Sequence, residues 1–330
     1  MSELSMIAAL VGGLIVLAFA GDFLVSGAVS TARRLGISPL VAGIFIVGFG
    51  TSAPEMLVAV DAALEGYPTI ALGNIVGSNI ANVFLVLGLP ALIAPIAMGG
   101  FGQKRTLMVM LAATALWIVL AAVTPLHAGI GMFFILALLA YGFYTFFSFA
   151  QAKKQGIDVG VEPDEEILSL PRTIAYVLVG VIGLPLGAHL IVEGGVGIAR
   201  TFDVPEYIIG LTLIAIGTSL PEIGAGIAAA LRGQGSVIVG NVLGSNLFNI
   251  LGAGGLVAIF AAFNGDPLSV SRSFHAYDHW AMAIAALIAA FFILTGKSIS
   301  RLTGILLLLI YALYMAGLTQ GWDILALFGA

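Results

Sequence analysis

Glu55 and Glu222 lie in two near-copies of one phrase, Gly50-Thr51-Ser52-Ala53-Pro54-Glu55 and Gly217-Thr218-Ser219-Leu220-Pro221-Glu222. Each copy is set in uncharged, membrane-length sequence. A glutamate at mid-membrane costs roughly 2.5–3.5 kcal/mol or more, so it is rarely kept without a task. Pro54 and Pro221 donate no backbone N–H, so the carbonyls of Gly50 and Gly217 lose their helical partners and the helix is expected to kink or unwind there. Broken backbone at membrane depth is tolerated only where it is buried or lines a polar cavity. Freed carbonyls, the hydroxyls of Thr51, Ser52, Thr218 and Ser219, and two carboxylates make an all-oxygen lining. Hard cations want such a lining, Ca²⁺ taking six to eight oxygens. A structural proline kink with hydroxyls bonded back to their own helix would explain Thr, Ser and Pro, but not the glutamate. Two glutamates supply a charge of −2, which neutralises one Ca²⁺, whereas three Na⁺ would leave an excess of +1.

The duplication is wider than the phrase. Sliding the sequence by 167 positions superposes 24–88 on 191–255 without a gap, and 16 of the 39 positions from 50 to 88 are then identical. Gly73-Asn74 falls on Gly240-Asn241, and Gly77-Ser78-Asn79 on Gly244-Ser245-Asn246. Asn82 falls on Asn249, and Gly88 on Gly255. Ser78 and Asn82, like Ser245 and Asn249, are four apart and share a helical face. Their spans directly follow the glutamate-bearing ones, which favours these four as ligands. Asparagine in a membrane helix also serves as interhelical glue, the reading open for Asn79 and Asn246. Gly73 and Gly77, with Gly240 and Gly244, allow close helix contact.

The elements that must carry these residues follow from composition. Of 330 residues 60% are hydrophobic and 9% charged, with mean hydropathy +1.14. A soluble domain has about 25% charged residues, so the chain reads as an all-α polytopic membrane protein. Charge-free runs of about 20 residues give ten spans near 6–29, 39–64, 69–97, 106–124, 128–150, 173–199, 206–231, 236–263, 278–295 and 300–319. The first basic residue is Arg33, so 6–29 reads as a retained helix and not a cleaved signal. The absence of cysteine excludes disulfides and thiolate metal sites.

Ten spans put Arg33, Arg34, Lys104, Arg105, Lys153, Lys154, Arg172, Arg232, Lys297 and Arg301 on one side and only Arg200 and Arg272 on the other. The basic side is cytoplasmic, so both termini are expected outside and the connector 151–172 inside, as a short solvated linker. The halves are then 1–150 and 173–330, with repeats at about 39–97 and 206–263. Five spans per half is odd, so the second half enters from the opposite side. That is an inverted-topology repeat, which places a transporter's site at the midplane where the halves meet.

Asp22 and His189 also correspond under the shift. His189 stands as either a proton carrier or a packed, hydrogen-bonded residue. Asp61 and Glu193 read as interfacial or vestibule residues.

The paired motifs resemble the α-repeats of the calcium/cation antiporter superfamily, most closely the prokaryotic sodium/calcium exchangers, over essentially the whole chain. The resemblance implies ten helices in two inverted five-helix halves in the cell (inner) membrane. It also implies a core of spans two, three, seven and eight, across which spans one and six slide. By motif position Glu55 and Glu222 would be shared Ca²⁺ and Na⁺ ligands. Thr51, Ser52, Thr218, Ser219, Ser78 and Ser245, with the Gly48 and Ala215 carbonyls, would serve mainly Na⁺. Asn82 and Asn249 would complete the centre; some relatives carry Asp at one of these two positions. The implied activity is Ca²⁺/Na⁺ antiport, without enzymatic activity or cofactor, by a monomer, and with no nucleic-acid partner. The alternative is a proton-coupled exchanger, which typically places an acidic residue after the Gly-Asn pair, where this chain has Ile75-Val76-Gly77. An intramembrane metalloenzyme would need a base or nucleophile, and the lining offers no His, Cys or Lys. A channel fits poorly, because glutamates that bind one ion tightly would slow conduction.

Overall fold

The computed structural model describes residues 2–155, 167–203, 215–263, 268–270 and 274–322. Among them are ten helices, nine long and apolar enough to cross a membrane. They are α1 (Glu3–Leu35), α2 (Pro39–Leu64), α3 (Pro68–Ile93), α4 (Gln103–Val123), α5 (Ala128–Lys154), α6 (Leu170–Thr201), α7 (Leu220–Leu231), α8 (Gly235–Phe263), α9 (Phe274–Thr295) and α10 (Arg301–Gln320). The chain is a multi-pass, all-helical membrane protein. The predicted seventh span, 206–231, is described only from 215 onward.

Local chemistry sets the helix ends. The Ser38 hydroxyl accepts from Val41 N–H (3.3 Å) with Pro39 at the first helical position, and so starts α2. α1 stops at Gly36, whose φ of +67° only glycine adopts cheaply. The two glutamate-bearing helices treat their prolines differently. α7 begins at the proline: a helical turn Ala215–Gly217 is followed by a turn at Thr218–Ser219, and Pro221 lies in the first turn of Leu220–Leu231. The expected break at Gly50 is not found. α2 runs as α-helix from Phe49 to Leu64 through Pro54, and the irregularity lies one turn earlier, as a π-helical stretch Gly43–Gly48. The π-helical stretch ends two residues before Gly50, and regular α-helix continues through Pro54.

α3 and α8 form the interior. α8 packs on α2 and α5, α3 on α7, α9 and α10, and α9 on α4. Two isolated antiparallel bridges lock this arrangement. Ile96, just after α3, pairs with Ile299 before α10, and Leu268, after α8, pairs with Leu126 before α5. Exchanging the halves turns one bridge into the other. α1 and α6 lie side by side along much of their length. A Cβ on Gly13 would stand 2.8 Å from the Gly187 carbonyl oxygen. The predicted glycine contact is present at α8, where Gly244 meets the Ile44 backbone, its Cβ position 2.7 Å from Ile44 Cα, and Gly240 abuts the Leu40 carbonyl. It is not present at α3, where a Cβ on Gly77 would meet nothing within 4 Å and one on Gly73 only the Phe274 ring at 3.9 Å.

Candidate functional site

Two asparagines that the motif contains, but to which the sequence assigned no part, hold the glutamates in place. Asn74 Nδ2 donates to the Glu55 carbonyl oxygen (2.8 Å), and Asn241 Nδ2 donates to that of Glu222 (3.3 Å). These bonds superpose under the 167-residue shift. They tie α3 to α2 and α8 to α7 at the level of each carboxylate. The repeat of Gly-Asn was the available signal, since its spacing from Glu is the same in both halves.

The carboxylates are then joined across the halves. Ser78 Oγ donates to Glu55 Oε1 (2.8 Å), and Asn249 Nδ2, from the other half, donates to Glu55 Oε2 (3.0 Å). Ser52 Oγ donates to Glu222 Oε1 (3.1 Å), again across the halves. Thr51 Oγ1 reaches the Gly48 carbonyl oxygen (3.4 Å) and Asn241 Oδ1 (3.3 Å). Ser245 Oγ donates to the same two oxygens, at 3.4 and 3.5 Å. The Gly48 carbonyl, at the end of the π-helical stretch, thus faces the hydroxyls of Thr51 and Ser245. Asn82 Nδ2 donates to Asn246 Oδ1 (3.1 Å), which confirms Asn246 as interhelical glue. Asn79 instead bonds its own helix at Ile75 O (2.7 Å).

Glu55, Glu222, Thr51, Ser52, Ser78, Ser219, Ser245, Asn82 and Asn249 are each no more than 3% exposed, so the cluster is buried. Among the described residues, four of its oxygens find no hydrogen-bond partner: Glu222 Oε2, Ser219 Oγ, Asn82 Oδ1 and Asn249 Oδ1. Buried polar atoms are nearly always satisfied. Glu222 Oε2 and the two amide oxygens are acceptors, and Ser219 Oγ has lone pairs to offer. Acceptors gathered in a dry interior suit a cation. Thr218 sits half-buried at the turn before α7, and Ala215 opens the short helical turn there.

The four ionisable residues singled out in the sequence beside the glutamates, Asp22, Asp61, His189 and Glu193, fall outside the cluster. Asp22 pairs with Arg232, Nε to Oδ1 2.6 Å. His189 is not a packed residue: its side chain is 73% exposed and stands 3.8 Å from Glu193 on its own helix. The buried histidine is His279 in α9, whose Nε2 accepts from Trp117 Nε1 (3.3 Å). Asp61 is exposed near the end of α2.

Known proteins share this plan. Residues 5–150 and 172–320 match the sodium/calcium exchanger protein family. The chain is 31% identical to the sodium/calcium exchanger MaX1 of Methanosarcina acetivorans, over 92% of this chain and 95% of that one. It is 34% identical to the inner membrane protein YrbG of Escherichia coli, over 81% and 83% respectively. Solved structures of the sodium–calcium exchanger NCX_Mj superpose with a TM-score of 0.79 at 30% identity, covering 96% of this chain and 99% of that one. A transporter fold, two glutamates drawn together from duplicated halves, and a match along nearly the whole sequence lead to one conclusion: the chain belongs to the sodium/calcium exchanger family.

Proposed function

We propose that this protein exchanges Ca²⁺ for Na⁺ by alternating access at the buried oxygen cluster between its halves. Glu55 and Glu222 act as ligands shared by the two ions. Thr51, Ser52, Ser78, Thr218, Ser219 and Ser245, with the Gly48 and Ala215 carbonyls, serve mainly Na⁺, and Asn82 and Asn249 complete the centre. The observation that carries this reading is the pairing of both carboxylates across the halves beside four buried oxygens that find no partner among the described residues. A charge of −2 matches one Ca²⁺. Several Na⁺ ions need further oxygens, and the hydroxyls in both repeats supply them. Ions competing for the same carboxylates cannot be bound together, and that exclusion couples the two fluxes. The distribution of basic residues supports termini outside and the 151–172 connector inside.

The test is ⁴⁵Ca²⁺ uptake into proteoliposomes. An outward Na⁺ gradient should drive uptake with a steeper than first-order dependence on Na⁺. Full-rate uptake driven by a pH gradient alone, without Na⁺, would replace this reading with proton coupling.

A further inference from the structure

The 167-residue shift that aligns the glutamates also aligns two pairs of charges with their signs reversed. Asp22 falls on His189, and Arg232 falls on Glu65. The local structure at the second pair of positions repeats closely. Glu65 is the C-cap residue of α2 and Arg232 that of α7. Each is followed by a glycine of positive φ, Gly66 at +82° and Gly233 at +68°. The next amide, Tyr67 or Gln234, returns to the carbonyl of Ala62 or Ala229, 2.8 Å in both cases. Arginine at a helix C-terminus is favoured by the helix dipole, but glutamate there is opposed by it. Glu65 therefore does not stabilise its own helix.

Asp22 and Arg232 form an ion pair that fastens α1 to the end of α7. It lies beside a polar cleft of about 50 Å³ on the side assigned to the cytoplasm, lined by Val29, Arg33, Gly233 and Gln234 among others. No ion pair joins the equivalent residues, His189 and Glu65, among the described residues. His189 turns to Glu193, four residues along α6. The position equivalent to Glu193 is Ser26, whose hydroxyl merely donates to the Asp22 carbonyl oxygen (2.7 Å) and offers Asp22 no competing charge.

We infer that these four residues are two alternately used latches, Asp22–Arg232 closing the cytoplasmic mouth and His189–Glu65 closing the external one. Each latch ties the α1/α6 pair to one glutamate-bearing helix, α7 or α2. The structure has the cytoplasmic latch fastened and the external one released, with Glu193 holding His189 aside. The combined reach of Asp with Arg and of His with Glu is similar, so exchanging the halves' conformations brings the second pair together. His189 can engage Glu65 as a cation or, when neutral, as a ring N–H donor. Reversed signs keep the two latches from cross-pairing: on one helix pair Asp22 and His189 seek opposite partners. The four are positioning residues, outside the ion-binding cluster.

The inference rests on the alternating-access reading, and the test separates the two. The chain has no native cysteine, so Val29→Cys, buried in the cleft, reports opening to a membrane-impermeant thiol reagent on the cytoplasmic side. Arg232→Gln and Asp22→Asn should each speed labelling about two- to fivefold, the range open to an ion pair of this exposure. The charge swap Asp22→Arg with Arg232→Asp should bring it back towards the parent rate. Glu65→Gln should slow labelling, and Glu193→Gln, which frees His189, should speed it. A merely destabilised protein would label faster in every case. Unchanged labelling in Arg232→Gln, or faster labelling in Glu65→Gln, overturns the latches. A parent protein that exchanges no cation in the same vesicles would fail the transport reading instead.

Discussion

Ser52 of the first half and Glu222 of the second are bonded directly, Oγ to Oε1 at 3.1 Å, but their repeat partners are not. Ser219 Oγ, equivalent to Ser52, finds no hydrogen-bond partner among the described residues, and Glu55 is held by Ser78 and Asn249 instead. A duplicated sequence has thus produced an unequal site. Both oxygens of Glu55 accept a hydrogen bond, while Glu222 keeps Oε2 unbonded.

The inequality separates the two charge-removing substitutions. Glu55→Gln and Glu222→Gln should each abolish Na⁺-driven ⁴⁵Ca²⁺ uptake, because a site with one carboxylate no longer balances a divalent ion. Their stabilities should differ. A glutamine at 55 keeps its oxygen for Asn249 only by turning its NH₂ to Ser78, whose hydroxyl must then accept. Two charge-assisted bonds, each worth about 1.5–3 kcal/mol, become neutral ones. A glutamine at 222 can put its NH₂ where Oε2 has no partner. Thermal unfolding in detergent should therefore place Glu55→Gln below Glu222→Gln. Near-normal uptake by either variant would remove that residue from the site.

Asn249→Asp replaces the donor 3.0 Å from Glu55 Oε2 with a third carboxylate. Like charges so close destabilise the ion-free form and strengthen attraction for Ca²⁺. The variant should unfold at lower temperature than the parent in chelator and gain more from added Ca²⁺. An identical Ca²⁺-induced shift in both proteins would contradict this placement of Asn249.

Gly12 and Gly13 are neighbours on α1 with opposite duties. A Cβ on Gly13 would stand 2.8 Å from the Gly187 carbonyl oxygen and from Ile191 N, whereas one on Gly12 meets nothing within 4 Å. Gly13→Ala should cost about 1–3 kcal/mol through overpacking, seen as a lowered unfolding temperature. Gly12→Ala should be neutral or gain up to about 1 kcal/mol from helix propensity. Equal effects at both positions would deny the close α1/α6 contact.

Orientation can be read with single cysteines at exposed positions at or beyond the helix ends. Lys104→Cys and Lys297→Cys should react with impermeant reagents from the cytoplasmic side only, and His127→Cys and Phe202→Cys from the outside only. Gln103, beside Lys104, is unsuitable: it is buried, and its Oε1 accepts from Gly99 N–H (2.8 Å). Labelling of Lys104→Cys and His127→Cys from the same side would refute the assigned topology.

Span positions were legible because apolar length is a one-dimensional property. One error falls where the backbone finds a distant partner. The third span was expected to continue to 97, but α3 stops at Ile93 and Ile96 leaves to pair with Ile299. No local pattern reports such a bridge. The glutamates were visible as charges in apolar surroundings. The duty of Asn74 and Asn241 was not, since an amide bound to a carbonyl on another span looks in sequence like any other asparagine. Nor could a repeat disclose where its copies part: Pro54 lies inside a continuous helix, while Pro221 lies in the first turn of a new one. The packed alternative for His189 rested on its apolar neighbours in sequence, yet its side chain is 73% exposed.

The bridges Ile96–Ile299 and Leu126–Leu268 mean that neither half owns a complete border. A chain ending near the connector would carry Ile96 and Leu126 with their main-chain groups unmatched, and the remainder would carry Ile299 and Leu268 in the same condition. Each fragment is the other's missing edge. Severing the covalent link therefore should not yield two self-sufficient folding units. It should yield fragments that are unstable apart and that reassemble by mutual lacing when produced together.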